Sequence, residues 1–188
     1  MFYFLHRLVK WFFIALVCAG LYWVWLQREA IEPVYVWYDV YQNGGLTKDD
    51  PLQVVRGQGT HVFDGHTFQL MSGGRAYVVT LTGFTKPALP MPPDEVAREK
   101  ERRRVLREAV LKKNVEVQVT FGEGTSLLGV VNAGGTNLNL YFLTNGLAKF
   151  NRDYIKTAPR TVQYQFFGAE RIREKQLEKD MALAMNRR

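Results

Sequence analysis

The sequence predicts an α+β protein: a single apolar N-terminal helix that crosses a membrane once, followed by a five-stranded β-barrel with about three helices. Three observations predict it. Trp11 to Leu26, WFFIALVCAGLYWVWL, is an apolar run without charge. Short β-rich runs separated by Gly-containing turns fill the middle of the chain. Two charged stretches rich in Arg, Lys and Glu, 98–113 and 171–188, have the makeup of surface helices. The 188 residues are 47% apolar and 23% charged, which excludes a collagen-like, low-complexity or wholly disordered chain. Setting the apolar N-terminus aside leaves roughly 155 residues, enough to bury about two-thirds of their unfolded surface in one core without staples. The one cysteine, Cys18, lies in the apolar run, so neither a disulfide framework nor a cysteine-based metal or redox site is expected.

The apolar run reaches roughly 24 Å as a helix, short of the ~30 Å hydrocarbon core, but Leu8 and Val9 extend it while Lys10 snorkels to the interface. The expected span is therefore 8–26, behind a flank at 1–7. Trp11 at one end and Tyr22, Trp23 and Trp25 at the other supply aromatic belts against the lipid headgroups. Arg7 and Lys10 precede the span, and Arg28, Glu29 and Glu32 roughly cancel after it. That bias puts the N-terminus on the cytoplasmic or matrix side and the rest of the chain opposite. The bulky Leu21-Tyr22-Trp23-Val24-Trp25-Leu26 offers no small-x-small cleavage site, so an uncleaved anchor is expected rather than a secretory signal. An acid-free N-terminus and a short span fit the mitochondrial inner membrane, with the bacterial inner membrane and the endoplasmic reticulum as alternatives.

Residues 27–49 are expected to be an aromatic extended segment and linker. VYVWYDVY after Pro33 is aromatic and β-branched, a strand signal or an aromatic clamp, and QNGGLTKDDP clusters turn formers. The main domain is expected over 50–183, with a basic tail at 184–188. Leu52 to Arg56, Thr60 to Phe63 and Thr67 to Met71 are β-rich, and Ala76 to Thr82 follows a Ser72-Gly73-Gly74-Arg75 hairpin turn, which together make a three-stranded meander. After the Pro-rich break PALPMPP, Asp94 is a good N-cap for a helix to about Lys113, whose first half is expected to be too charged for burial. VEVQVTF, 115–121, alternates strictly, and Leu127 to Asn132 follows, which completes five strands. A short helix is expected near Asn137 to Asn145, closed by Gly146, and a last amphipathic helix from about Thr161 to Met185.

Five short strands with one helix between the third and the fourth is the arrangement of an oligonucleotide/oligosaccharide-binding (OB) barrel. Three motifs sharpen the likeness. Phe63-Asp64-Gly65-His66-Thr67-Phe68, with the following hairpin to Phe84, resembles the D-G-D-T strand pair of staphylococcal-nuclease-like (thermonuclease) domains. Val105 to Phe121 is similar to that family's first helix and fourth strand. Leu138-Asn139 through Asn145-Gly146-Leu147-Ala148 resembles its N-x-x-L-V-x-x-G-L-A helix.

The resemblance implies a pocket for phosphodiester hydrolysis, with Ca²⁺ on carboxylates, a Glu that activates water and two Arg that clamp the phosphate. Few of these side chains are present. The family's second metal Asp falls on His66, a poor ligand for a hard cation. One clamping Arg falls on Thr80 and the other near Ser126 or Leu128, and the D-T-P-E motif becomes Thr85-Lys86-Pro87-Ala88. Only Asp64 and Thr67 keep family-like side chains. The expectation is a pseudo-nuclease with no catalytic residues, metal ligands or cofactor, whose degenerate pocket comprises Asp64, His66, Thr67, Thr80, Thr85, Lys86, Ala88 and Ser126. His61 and His66 read as structural histidines rather than as a two-His metal site or a His-Asp pair.

The function expected is that of an accessory subunit of a membrane protein complex of respiratory-chain type, bound to other subunits, with lipids at the anchor. Tyr35, Trp37, Tyr38, Tyr41, Phe166 and Phe167 are the candidate partner contacts. The alternative is a membrane-tethered barrel that binds nucleic acid without cutting it, favoured by a formal charge of +7 and by Arg56, Arg75, Lys86, Lys149 and Arg152.

Overall fold

The computed structural model describes residues 2–26, 28–44, 52–85, 90–156 and 158–186. It divides into two units, Met1–Tyr38 and Asp39–Arg188.

The first unit is helical. Helix α1 spans Phe2–Leu26 and helix α2 spans Arg28–Asp39. Residues 8–26 are thus helical as expected, but among the described residues no helix is long and apolar enough to cross a membrane, which corrects the transmembrane reading. Side chains of this helix are described only over 10–23, a stretch shorter than the ~20 apolar residues that a span needs. Among the residues expected as belts, Lys10, Trp11, Tyr22 and Trp23 are exposed, while the side chains of Arg7 and Trp25 lie outside the described residues. The aromatic segment expected to be extended is instead α2, followed by a π turn at Val40–Gly44. Strand-favouring residues are overridden here by context, as β propensity often is. Within this segment Val36 is buried and Tyr35, Trp37, Tyr38 and Tyr41 are exposed. Most of the expected linker lies outside the described residues.

The second unit holds a five-stranded closed β-barrel compatible with an OB-fold. Strand β1, Gln53–Val62, fuses two runs that the sequence separates, and its register slips between Gly59 and His61. This bulge lets one long strand serve two partners: Gln53–Gln58 pair with β4 (Asn114–Glu123) and Gln58–Val62 with β2 (Thr67–Ser72). Strand β3, Arg75–Leu81, returns from β2 over Gly73 and Gly74, whose φ of 56° and 77° demand glycine. Helix α3, Pro93–Val110, lies between β3 and β4, and β5 (Ser126–Ala133) pairs antiparallel with β4. A parallel pairing of Val78–Leu81 with Ser126–Gly129 closes the barrel. A two-residue strand β6, Thr136–Asn137, leads into α4, Leu138–Thr144, and α5, Arg160–Asn186, ends the fold. Among the described residues, five α-helices therefore replace a span plus about three.

The alternation in β4 puts Val115, Val117 and Val119 inside with Phe68, Leu70, Val79, Val130 and Val131. Leu106 and Val110 of α3 cover one end of this core. Phe166 and Phe167, expected as exposed partner contacts, are core residues. With Val162 and Ala169 they form the buried stripe of α5, and the Phe150 ring lies 5.8 Å and 5.5 Å from theirs. Buried Asn139 joins three segments: its Oδ1 accepts the Val131 N–H, and its Nδ2 donates to the carbonyls of Thr82 and Gly129.

Candidate functional site

The turn from β1 to β2 carries the Asp64-Gly65-His66 motif, and two carboxylates shape it. Asp64 Oδ1 accepts the His66 backbone N–H at 2.7 Å, and Glu99 Oε1, from α3, accepts the Gly65 N–H at 2.6 Å. Glycine is required at 65 by close approach, because a Cβ there would stand 2.7 Å from Arg102 Cβ and 2.8 Å from Glu99 Oε2.

Beneath the turn, Arg102 is buried. Its guanidinium bonds Glu99 Oε2 at 2.6 Å, Glu95 Oε1 at 2.8 Å and the Leu147 carbonyl. Of the first half of α3, expected to be too charged for burial, only Arg102 is buried, its charge met by carboxylates at helical spacing. Burial works against ionisation of Glu95, yet the hydrogen bond and charge of Arg102, aided by Arg98, hold its pKa below the ordinary value. His66 is buried beside this network with its ring against Phe84 at 5.6 Å. Burial, and then the Arg102 charge, lower its pKa, with Glu99 and Asp64 opposing.

His66, Thr80, Ser126 and Leu128 line one pocket of about 270 Å³ with Glu123, Phe121 and Tyr154. Most of the positions onto which the nuclease resemblance maps a metal Asp and two Arg are thereby brought together, with His, Thr, Ser and Leu in their place. Thr67 is the register partner of Thr80. Asp64 and Thr67 are not in the lining, and neither is Thr85, whose N–H donates to the Lys149 carbonyl at 3.0 Å. Lys86 and Ala88 lie outside the described residues. Among the described residues the lining holds neither Lys nor Arg.

Glu99 and Arg102 were missed as site residues. Their signal was the Glu95, Glu99, Arg102 spacing, which puts all three on one face of a helix. Of the basic residues named for a nucleic-acid groove, Arg56 pairs with Glu116 at 2.8 Å, Arg152 pairs with Glu170 at 2.9 Å, and Arg75 lies over the Tyr77 ring. Compared with known proteins, the chain matches no protein-family model, and no curated protein matches it in sequence.

Proposed function

We propose that this chain is a non-catalytic, staphylococcal-nuclease-like barrel that serves as a docking or accessory module in a protein assembly. One observation carries the reading. The pocket that would hold a scissile phosphate offers hydroxyls, Leu128, the His66 imidazole and the Glu123 carboxylate, and among the described residues no Lys or Arg lines it. Phosphoryl transfer is accelerated chiefly by charge placed on the transferring group, so a pocket of this makeup has lost the main source of rate. The exposed aromatics Tyr35, Trp37, Tyr38 and Tyr41 support docking, since Trp and Tyr dominate binding energy at protein interfaces. The nucleic-acid alternative is disfavoured by the pairing of Arg56 and Arg152 with carboxylates, which leaves fewer cations for a phosphate backbone. The expected mitochondrial placement depended on a span over 8–26 and forms no part of the proposal.

The test is cleavage of single-stranded and duplex DNA by the purified chain with Ca²⁺, Mg²⁺, Mn²⁺ or Zn²⁺, alongside cross-linking of the native assembly. No cleavage and a cross-linked neighbour at residues 34–41 are expected. Cleavage that Asp64→Ala or His66→Ala abolishes would overturn the non-catalytic reading, and a chain with no cross-linked neighbour would overturn docking.

A further inference from the structure

We propose that Asp64, His66 and Glu99 bind one divalent transition ion of the zinc class, at the junction of the β1–β2 turn with helix α3. The inference goes beyond the docking reading and stands without it.

The His66 ring is the first reason. Its side chain is 9% exposed, its Nε2 is buried without a hydrogen-bond partner, and its Nδ1 lies 3.8 Å from Glu99 Oε2, too far for a hydrogen bond. Buried polar nitrogens in native proteins nearly always have partners, and a buried ring with its Nε2 unpartnered and its Nδ1 turned toward a carboxylate marks a place for a ligand.

Geometry is the second. One donor atom from each of the three side chains lies within 4.8 Å of the other two. Donors around a tetrahedral ion with ~2.0–2.2 Å bonds are roughly 3.4 Å apart, so shifts of about an ångström bring these three onto one ion. Small side-chain rotations supply that.

The carboxylates are also prepared for the role. Asp64 spends Oδ1 on the His66 N–H and keeps Oδ2 free of hydrogen bonds among the described residues. Glu99 is held by the Gly65 N–H on one oxygen and by Arg102 on the other, the kind of outer support that orients metal ligands. Arg102 opposes a cation and Arg98 also pairs with Glu95, but Asp64, Glu95 and Glu99 outnumber the two guanidiniums. One imidazole with two carboxylates suits Zn²⁺, Co²⁺ or Mn²⁺, whereas Ca²⁺ takes ~6–8 oxygens that this corner does not offer.

The full-length chain, stripped with a chelator, is titrated calorimetrically with Zn²⁺ and with Ca²⁺, and with Co²⁺ while visible absorption is recorded. One equivalent of Zn²⁺ binding saturably, a raised melting temperature and four-coordinate Co²⁺ bands are expected, with no response to Ca²⁺. Asp64→Asn keeps the acceptor for the His66 N–H, and His66→Gln keeps the polarity of the ring position. Each weakens Zn²⁺ binding by about tenfold or more. His61→Gln, at an exposed histidine, leaves it unchanged. Absence of saturable Zn²⁺ binding by the wild-type chain overturns the proposal, as does binding that His61→Gln abolishes. Should His66→Gln fail to fold, Asp64→Asn in the exposed turn decides, and undiminished binding there is equally fatal. Saturable Ca²⁺ binding lost in Asp64→Asn overturns the choice of ion.

Discussion

A methyl group on Gly65 has nowhere to go, because α3 presses Arg102 Cβ and the Glu99 carboxylate against that face of the turn. Gly65→Ala should therefore lower stability by about 1–3 kcal/mol, the usual range for overpacking. Urea denaturation reads this directly, and an unchanged midpoint would mean that the turn can withdraw from the helix. Glu170 makes a separate residue-level prediction. Burial pushes its pKa above the ordinary 4.5, Glu174 and Asp39 push it the same way, and Arg152 opposes them. A carboxyl with a raised folded-state pKa holds its proton more tightly in the folded chain than in the unfolded one. Its contribution is full below the unfolded value and is lost as pH rises through the folded one. Glu170→Gln removes that dependence, so the melting temperature of the wild type should fall relative to the variant as pH is raised from about 4 to about 7. Parallel curves would show that Glu170 is as well solvated folded as unfolded.

Helix α3 is tied to the β1–β2 turn through Glu99, which accepts the Gly65 N–H and belongs to an ion-pair network around buried Arg102, and such networks are costly to break from one side. Arg102→Leu leaves Glu95 and Glu99 without their shared partner and should cost about 3–5 kcal/mol, measured by chemical denaturation. A loss under ~1 kcal/mol would mean that water replaces the guanidinium. This helix also shows why part of the site was hidden from sequence reading. REKERRR looks like a solvated face, and only the tertiary fold reveals that Arg102 points inward onto two carboxylates of its own helix. Strands were far more legible. VEVQVTF states its buried face by strict alternation, and Gly73-Gly74 states its turn by the φ that it permits. The bulge near Gly59 was invisible, so one bent strand read as two. Residues 34–41 misled because Trp, Tyr and Val favour strands on average, whereas this stretch is helical to Asp39 and then a π turn. His66, Thr80 and Ser126 line one pocket, and in the sequence only the nuclease-like resemblance linked them, since distant strands share no local signal.

At the scale of the whole molecule, Asp39–Arg188 has a closed barrel and a core that α3, α4 and α5 complete from within the same unit. A chain beginning at Asp39 should therefore unfold in one cooperative transition, with a melting temperature within a few degrees of the full-length chain, as calorimetry would show. A broad, non-cooperative transition would make residues 1–38 part of the folding unit. The parallel pairing of Val78–Leu81 with Ser126–Gly129 has a kinetic consequence. That seam joins positions roughly fifty residues apart, so its loop-closure entropy must be met before its contacts offer any return. The hairpin of β2 and β3 can form locally, whereas the seam must wait for α3 and β4 to be laid down between its two edges. Shaving a buried side chain on the seam, as in Val79→Ala or Leu127→Ala, should then leave the refolding rate nearly unchanged and hasten unfolding. In stopped-flow chevron plots the folding limbs should superimpose and the unfolding limbs should rise, because the barrel opens where it last closed.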